Sequence, residues 1–310
     1  MTTILFAAGP ERWTEYEGPL RGALDALGLE YTLSPQTDDP AQVDYIIYAP
    51  NPSLTDFTPY TNAKAVLSLW AGVERIVGNE TLTMPLARMV NDGMTQGMVE
   101  WVVANVLRHH LGLDRYVLNP TREWIPRVPP LARDRKVAVL GLGALGQACA
   151  QGLAGLNFDV IGWSRSQKDI AGITCLSGDD GLAQTLSQAE ILVLLLPLTL
   201  DTENLLNAQR LAQMPKGAVV VNPGRGPLID DDALLAALDS GHVSHATLDV
   251  FRKEPLPADH PYWSHPNVTV TPHIASDSRT DSAAQVIAEN IRRGEAGEPL
   301  LHLVDRGAGY

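Results

Sequence analysis

Three side chains that could bind an anion and transfer a proton follow predicted strands late in the chain: Arg225, Glu254 and His273. A guanidinium group binds a carboxylate through two parallel hydrogen bonds. An imidazole can donate or accept a proton near neutral pH, and a neighbouring carboxylate favours its protonated form. Each of these residue types alone is more often a surface or core residue. The prediction of a site therefore rests on all three together.

The elements that would position these side chains are strands of a parallel sheet. Predicted strands at residues 218–222, 246–248 and 268–271 end shortly before the arginine, the glutamate and the histidine, respectively. In doubly wound α/β sheets, ligands bind outside the carboxyl ends of the strands. We therefore expect the three side chains to share one edge of a sheet.

A glycine-rich turn lies upstream of these strands. The apolar segment at residues 137–140 leads into Gly141, Gly143 and Gly146, and a helical pattern begins directly after them. The dinucleotide-binding sequence G-x-G-x-x-G requires this strand–turn–helix context. Its glycines allow a tight turn, close approach of a pyrophosphate and close packing of the helix. A dinucleotide site is predicted, with a purely structural turn as the alternative.

The strand after the glycine turn ends in Trp163, Ser164 and Arg165. NAD-binding proteins usually carry an acidic residue here, which bonds the ribose hydroxyls. A serine and an arginine suit a 2′-phosphate instead, because they donate hydrogen bonds and do not repel it. We therefore predict a preference for NADP(H), with NAD(H) possible. The alternative is that Arg165 is a solvated arginine that stacks on adenine without selecting the cofactor.

Strands alternate with helices in both halves of the chain, which indicates parallel α/β sheets. In the first half, a helix is expected at residues 11–27, another is expected to start at 70–73, and strands are expected at residues 3–8, 30–33, 44–48, 65–69 and 86–90. A long helix at 95–118 and an irregular segment at 121–134 follow. The last helix, 281–293, and the tail are expected to return to the first domain.

The predicted fold class is thus α/β, with two doubly wound parallel-sheet domains. Residues 95–280 are predicted to form a Rossmann dinucleotide-binding domain. Residues 1–94 and 281–310 are predicted to form a smaller, flavodoxin-like substrate domain.

Composition restricts the classes of partner. The chain has 310 residues, 45% of them hydrophobic, and a formal charge of −13, which argues against a nucleic-acid surface. No apolar run is long enough to span a bilayer. Cys149 and Cys175 have no metal or redox spacing, and no histidine cluster has metal-ligand spacing, so no metal is expected. The N-terminus has a strand pattern without a basic signal-peptide region, which predicts a cytoplasmic protein.

Several motifs occur together in one order: residues 69–73, 141–146, 163–165, 222–226, 248–251, 254–257, 271–273 and 304–306. Over nearly its full length the chain resembles the D-isomer-specific 2-hydroxyacid dehydrogenases. Among these it is most similar to the members that reduce glyoxylate and hydroxypyruvate. Two departures are Pro223-Gly224, where the family often has alanine or serine before the arginine, and Glu74, where aspartate is common.

The resemblance implies roles for the three side chains. Arg225 is expected to bind the substrate carboxylate and polarise the ketone oxygen, and His273 to act as the general acid. Glu254 is expected to orient the imidazole. The implied substrate-binding residues are Trp70, Ala71, Gly72, Val73 and Arg225. The implied cofactor-binding residues are Gly141, Gly143, Ala144, Leu145, Gly146, Trp163, Ser164, Arg165, Leu196, Pro197, Pro223, Gly224, Arg225, Asp249 and His273.

The expected reaction is the NADPH-dependent reduction of a small 2-oxo acid, glyoxylate or hydroxypyruvate, to the D-2-hydroxy acid. A homodimer through residues 95–130 is also expected. One alternative is another 2-ketoacid reductase or a phosphoglycerate, formate or phosphite dehydrogenase. The chain stops soon after its last helix, which argues against an appended regulatory domain of the phosphoglycerate type. The alternative from a different class is a nucleotide-sensing protein that resembles a corepressor.

Overall fold

The computed structural model describes residues 1–51, 53–117 and 122–310. The chain forms two compact units, Met1–Met94 with Asp277–Tyr310, and Thr95–Ser276. The predicted α/β class with two parallel-sheet domains is confirmed, because the units contain a five-stranded and a seven-stranded parallel sheet. Parts of three predictions lie outside the described residues: the end of the helix at 95–118, the start of the irregular segment at 121–134 and positions 118–121 of the expected dimer region.

The elements are numbered along the chain. The strands are β1 (Thr2–Ala7), β2 (Tyr31–Ser34), β3 (Tyr45–Tyr48), β4 (Ala65–Ser68), β5 (Leu86–Ala87), β6 (Lys136–Leu140), β7 (Asp159–Ser164), β8 (Thr174–Ser177), β9 (Ile191–Leu194), β10 (Ala218–Asn222), β11 (Val243–Leu248) and β12 (Val268–Val270). The helices are α1 (Pro10–Ala26), α2 (Asp92–Leu111), α3 (Asp114–Val117), α4 (Ala144–Gly155), α5 (Gly178–Gln188), α6 (Ala208–Leu211), α7 (Asp231–Asp239) and α8 (Thr280–Glu295).

Strand order identifies both sheets. In the first unit it is β2-β1-β3-β4-β5, the flavodoxin-like order. In the second unit it is β12-β11-β10-β9-β6-β7-β8, which is the Rossmann order extended by one strand. In that sheet the direction of strand succession reverses between β6 and β9. Ligands of doubly wound sheets bind at such a switch point.

The central strands of the second sheet, β6, β9 and β10, are buried on both faces because they are almost entirely apolar. In β6, Ala138 and Leu140 belong to one hydrophobic core, while Val137 and Val139 belong to another. Successive side chains of a strand point to opposite faces, so these are the two sides of the sheet. Helix α2 contributes Met98, Val102 and Val106 to the second core. None of the described helices is both long and apolar enough to cross a bilayer.

The prediction that a helix starts at residues 70–73 is wrong. Residues 73–82 form a succession of turns, in which the N–H groups of Ile76 and Val77 bond the carbonyl of Val73. Gly78 and three β-branched residues have low helix propensity, so the first turn is not continued.

The helix predicted at 95–118 starts earlier and is interrupted. Asn91 accepts a hydrogen bond of 2.8 Å from the N–H of Met94 and so caps the start of α2. Gly112 has a φ of 63° and ends the helix. Its N–H and that of Leu113 bond the carbonyls of His109 and Arg108, which is a Schellman motif. Helix α3 then begins separately at Asp114.

The C-terminal segment completes the first unit. The hydroxyl of Ser278 donates to the carbonyl of Leu69 at 3.1 Å, so the chain rejoins this unit shortly before α8. Further on, the tail forms an antiparallel bridge between Leu303 and Ala87 of β5. The guanidinium group of Arg306 then bonds carbonyl groups in the turns at residues 77–82.

Candidate active site

The histidine and the glutamate predicted at the edge of the second sheet are in direct contact. Nδ1 of His273 lies 2.7 Å from Oε2 of Glu254, and Oε1 of Glu254 accepts a bond of 2.9 Å from the N–H of Phe251. The hydrogen bond to Glu254 raises the pKa of His273, although burial opposes this. Burial also opposes ionisation of Glu254, but the bonds from His273 and Phe251 outweigh it and lower the pKa of the carboxyl group. The contact therefore favours a protonated imidazole beside a carboxylate.

Asp249 fixes the loop that carries His273. Its buried carboxylate accepts hydrogen bonds from the hydroxyl of Thr271 at 2.5 Å and from the N–H groups of Ile274 and Ala275 at 2.9 and 2.8 Å. The N–H of His273 donates to the carbonyl of Asp249 at 2.8 Å. These bonds hold His273 at a φ of 56°, a left-handed conformation that costs about 1–3 kcal/mol. The carboxylate of Asp249 thus organises the loop, a role that the sequence pattern did not indicate.

Arg225 lies in a closed turn after β10. The side-chain amide of Asn222 donates to the carbonyl of Arg225 at 2.9 Å and accepts from the N–H of Gly224 at 3.1 Å. The guanidinium group donates to the carbonyl of Gly224 at 2.7 Å. A Cβ on Gly224 would lie 2.7 Å from the carbonyl oxygen of Leu194, so the turn packs tightly against the end of β9. Pro223 is accommodated because the turn takes its N–H donor from Gly224.

The glycine turn lies at the switch point of the sheet. Gly141 has a φ of 104°, and a Cβ there would lie 2.5 Å from the carbonyl oxygen of Leu195, just after β9. A Cβ on Gly146 would lie 1.7 Å from the carbonyl oxygen of Gly141, so this glycine allows helix and turn to pack closely. In contrast, no described atom lies within 4 Å of a Cβ built on Gly143. The turn therefore presents backbone to open space at that position.

The start of α4 offers hydrogen-bond donors at this point. The helix begins at Ala144, and no side chain caps it, so the N–H groups of its first turn, including that of Leu145, can bind phosphate oxygens. Leu196 and Pro197 follow β9, and the hydroxyl of Thr202 donates to the carbonyl of Pro197 at 2.7 Å. Open space at the turn, an uncapped helix start and an ordered neighbouring loop fit a dinucleotide pyrophosphate.

The three residues predicted to contact the ribose differ in exposure. Trp163 is buried, and its indole N–H donates to the carbonyl of Gly178 at 2.9 Å. Ser164 is also buried, and its hydroxyl donates to the carbonyl of Ser166 at 2.8 Å. Arg165 is the exposed member of the three. The side chains of Trp163 and Ser164 are thus used within the fold, where they bond backbone carbonyls.

In the first unit, the predicted carboxylate-binding residues follow β4. Arg12 lies over the indole of Trp70, with 5.4 Å between its guanidinium carbon and the ring centroid. Within the described part of the chain, the N–H groups of Ala71, Gly72 and Val73 make no hydrogen bond. Three consecutive unbonded N–H groups are a feature of anion-binding backbone turns.

Two half-buried histidines outside this site have structural partners. Nε2 of His109 lies 2.8 Å from the hydroxyl of Thr247, and Nε2 of His245 lies 2.9 Å from that of Thr269. Burial and the neighbouring His245 lower the pKa of His109 to about 3, so the ring is neutral at physiological pH. Among the described residues, no group of three or more histidine, cysteine, aspartate or glutamate side chains could hold a metal ion.

Comparison with known proteins gives consistent matches. Residues 101–275 match the family model of the D-isomer specific 2-hydroxyacid dehydrogenase, NAD binding domain. A glyoxylate/hydroxypyruvate reductase A of Serratia proteamaculans (strain 568) is 40% identical over 255 residues, which are 80% of this chain and 82% of that protein. The similarity to glyoxylate/hydroxypyruvate reductase A that the sequence motifs predict is thereby confirmed.

Two solved structures resemble the whole chain. One is a D-isomer specific 2-hydroxyacid dehydrogenase from Xanthobacter autotrophicus Py2 in complex with NADPH and MES, with a TM-score of 0.92 and 40% identity over 100% of this chain and 99% of that chain. The other is an NADPH-dependent glyoxylate/hydroxypyruvate reductase from Sinorhizobium meliloti in complex with NADP and sulfate. It has a TM-score of 0.90 and 35% identity and covers 100% of both chains.

Proposed function

Because the chain belongs to the D-isomer specific 2-hydroxyacid dehydrogenases, and is therefore an NAD(P)-dependent dehydrogenase, we propose that it reduces a small 2-oxo acid with NADPH. Glyoxylate and hydroxypyruvate are the proposed substrates, and glycolate and D-glycerate are the respective products. The observation that carries this proposal is the 2.7 Å contact between His273 and Glu254 at the carboxyl edge of the dinucleotide-binding sheet. The relatives that reduce these two acids support the choice of substrate.

The proposed roles are those implied by the family, and the contact of His273 with Glu254 supports them. When bound, the nicotinamide cofactor supplies the hydride. Arg225 binds the carboxylate of the substrate and polarises its carbonyl group with a planar, permanently charged fork. His273 donates a proton from Nε2 to the carbonyl oxygen, because Nδ1 is held by Glu254. Glu254 keeps the imidazole oriented and protonated, while Asp249 keeps the backbone of His273 in place.

A panel of 2-oxo acids tests this function. Glyoxylate, hydroxypyruvate, pyruvate and 2-oxobutyrate are each assayed by NADPH oxidation, and the chirality of the product is determined for the three acids other than glyoxylate, whose product is achiral. The highest kcat/KM is expected for glyoxylate or hydroxypyruvate. Absence of reduction for every acid, with either NADPH or NADH, would falsify the proposal.

For the cofactor, we propose that Arg165 selects NADPH over NADH. A lost charge-assisted hydrogen bond costs about 1.5–3 kcal/mol, so Arg165→Ala is expected to lower kcat/KM for NADPH by roughly ten- to a hundredfold. The value for NADH should change little, since NADH has no 2′-phosphate. Lys168→Ala serves as the comparison, because it removes another positive charge from the same exposed loop. Equal use of the two cofactors by the wild type argues against this selectivity.

Three further expectations stay predictions. We propose that the N–H groups of Ala71, Gly72 and Val73 bind the substrate carboxylate. We also propose a homodimer through the 95–130 region, in which Trp124 and Val128 are 95% and 94% exposed. Large exposed apolar side chains of this kind are common in subunit contacts, and light scattering of the purified chain would show its oligomeric state. The cytoplasmic location rests on the sequence alone.

A further inference from the structure

The guanidinium group of Arg252 joins several segments of the second unit. Nη2 donates to the carbonyl of Ile229 at 2.6 Å and to Oδ1 of Asn204 at 2.5 Å. Nη1 donates to Glu203 at 3.3 Å, and Nε lies 3.7 Å from the carboxylate of Asp231. One side chain therefore has four acceptors, two of them in the segment that follows Arg225.

The segment after Arg225 also contacts the Arg252 loop through its backbone. A Cβ on Gly226 would lie 2.0 Å from the carbonyl carbon of Phe251 and 2.4 Å from the nitrogen of Arg252. No side chain fits at this position, because the obstructing atoms belong to the backbone. The loop that carries Glu254 and the loop that carries Arg225 thus pack directly on each other.

We propose that Arg252 is a positioning residue, which holds the loop of Glu254 against the loop of Arg225 and so preserves the contact between Glu254 and His273. Residues 249–260 form no helix or strand, so side-chain bonds rather than a ladder of backbone bonds fix this loop. Arg252 lies two residues before Glu254 and supplies the bonds that reach outside the loop at that point. This inference rests on the proposed function, because it concerns the same site.

Loss of a positive charge and displacement of Glu254 would change the pKa of His273 in opposite directions. Loss of a positive charge cannot by itself lower the pKa of His273, since a cation disfavours the imidazolium form. Displacement of Glu254 lowers that pKa, because the hydrogen bond to Glu254 is the main cause of its increase. The sign of the change therefore separates positioning from a simple loss of charge.

The experiment compares the full-length variants Arg252→Met, Arg252→Lys and Lys253→Met with the wild type. Lys253 is the matched control, because it is exposed in the same loop and forms no ion pair with any described residue. NMR titration follows the ring of His273, which is assigned by its absence in His273→Asn. The pH dependence of kcat/KM for glyoxylate with NADPH is measured in parallel, and circular dichroism checks folding.

In Arg252→Met, we expect the pKa of His273 and the alkaline limb of kcat/KM to move to lower pH. We expect kcat to fall by about ten- to a hundredfold, as it does when a catalytic group is displaced. The KM for NADPH should stay within about twofold, because the contacts of Arg252 described above include no residue of the glycine turn. Lys253→Met should show no such decrease, and Arg252→Lys should lie between wild type and Arg252→Met.

An unchanged or raised pKa of His273 in folded Arg252→Met overturns the proposal. If Arg252→Met does not fold, Arg252→Lys decides by the same criterion. A wild type that reduces no 2-oxo acid refutes the proposed function instead, and the ring titration still decides the role of Arg252.

Discussion

Replacement of His273 by asparagine is expected to lower kcat for 2-oxo acid reduction by about 10²- to 10⁴-fold, the usual contribution of a general acid. Asparagine is the suitable replacement because His273 has a φ of 56°, and asparagine adopts the left-handed conformation more readily than most residues. Steady-state NADPH oxidation at saturating cofactor measures the effect. Near-wild-type reduction by the folded variant removes His273 as the proton donor.

The pH dependence provides a second measurement of the same assignment. Reduction requires the protonated imidazole, and the hydrogen bond to Glu254 raises the pKa of His273 above the ordinary value of a histidine. The rate of reduction should therefore fall as the pH rises through this raised value, while oxidation of the D-2-hydroxy acid should increase over the same range. Glu254→Gln removes the carboxylate and should shift the pH profiles of both reduction and oxidation to lower pH. If the pH profiles of Glu254→Gln coincide with those of the wild type, the orienting role of Glu254 is contradicted.

The second large effect is expected at the glycine turn, where two glycines can be compared. In Gly146→Ala, the new Cβ would lie 1.7 Å from the carbonyl oxygen of Gly141, so the helix and the turn must separate. Overpacking of this kind typically costs about 1–3 kcal/mol. The Tm of the protein should fall, and NADPH should bind more weakly because the turn is displaced. Thermal unfolding and fluorescence titration with NADPH measure the two effects.

Gly143→Ala is the matched control, with a different expected outcome. Gly143 has a φ of −72°, and no described atom lies within 4 Å of the added Cβ, so the unliganded fold accepts alanine without strain. The methyl group instead occupies the space that the pyrophosphate needs. The Tm should stay at the wild-type value while the Kd for NADPH rises. Wild-type binding by Gly143→Ala, or a wild-type Tm for Gly146→Ala, contradicts these separate roles.

Local sequence features predicted the strands and the turn well. Strands β6, β9 and β10 are buried on both faces, so they stand out as apolar runs, and their predicted bounds lie within one residue of the observed ones. The glycine turn was equally visible, because its signal lies within ten consecutive residues. The arginine, glutamate and histidine could be named because each follows a predicted strand and because the motifs of the chain resemble those of one family.

Contacts between distant segments could not be predicted in the same way. Asp249 bonds residues 271, 274 and 275 because β11 and β12 are neighbours in the sheet, and sequence spacing alone does not show that adjacency. The acceptors of Arg252 likewise lie 21 to 49 residues away along the sequence, and only the folded chain brings them together. The absence of a helix after residues 70–73 has a different cause, because glycine and β-branched residues follow the strand and form helices poorly.

The tail of the first unit has a consequence for solubility. Strand β5 is the last strand of its sheet, and an open edge is a template for pairing with other chains and for aggregation. The bridge between Leu303 and Ala87, together with the bonds from Arg88 to His302 and from Val304 to Leu86, covers that edge. Residues 302–304 therefore block edge-to-edge association of the first sheet at β5.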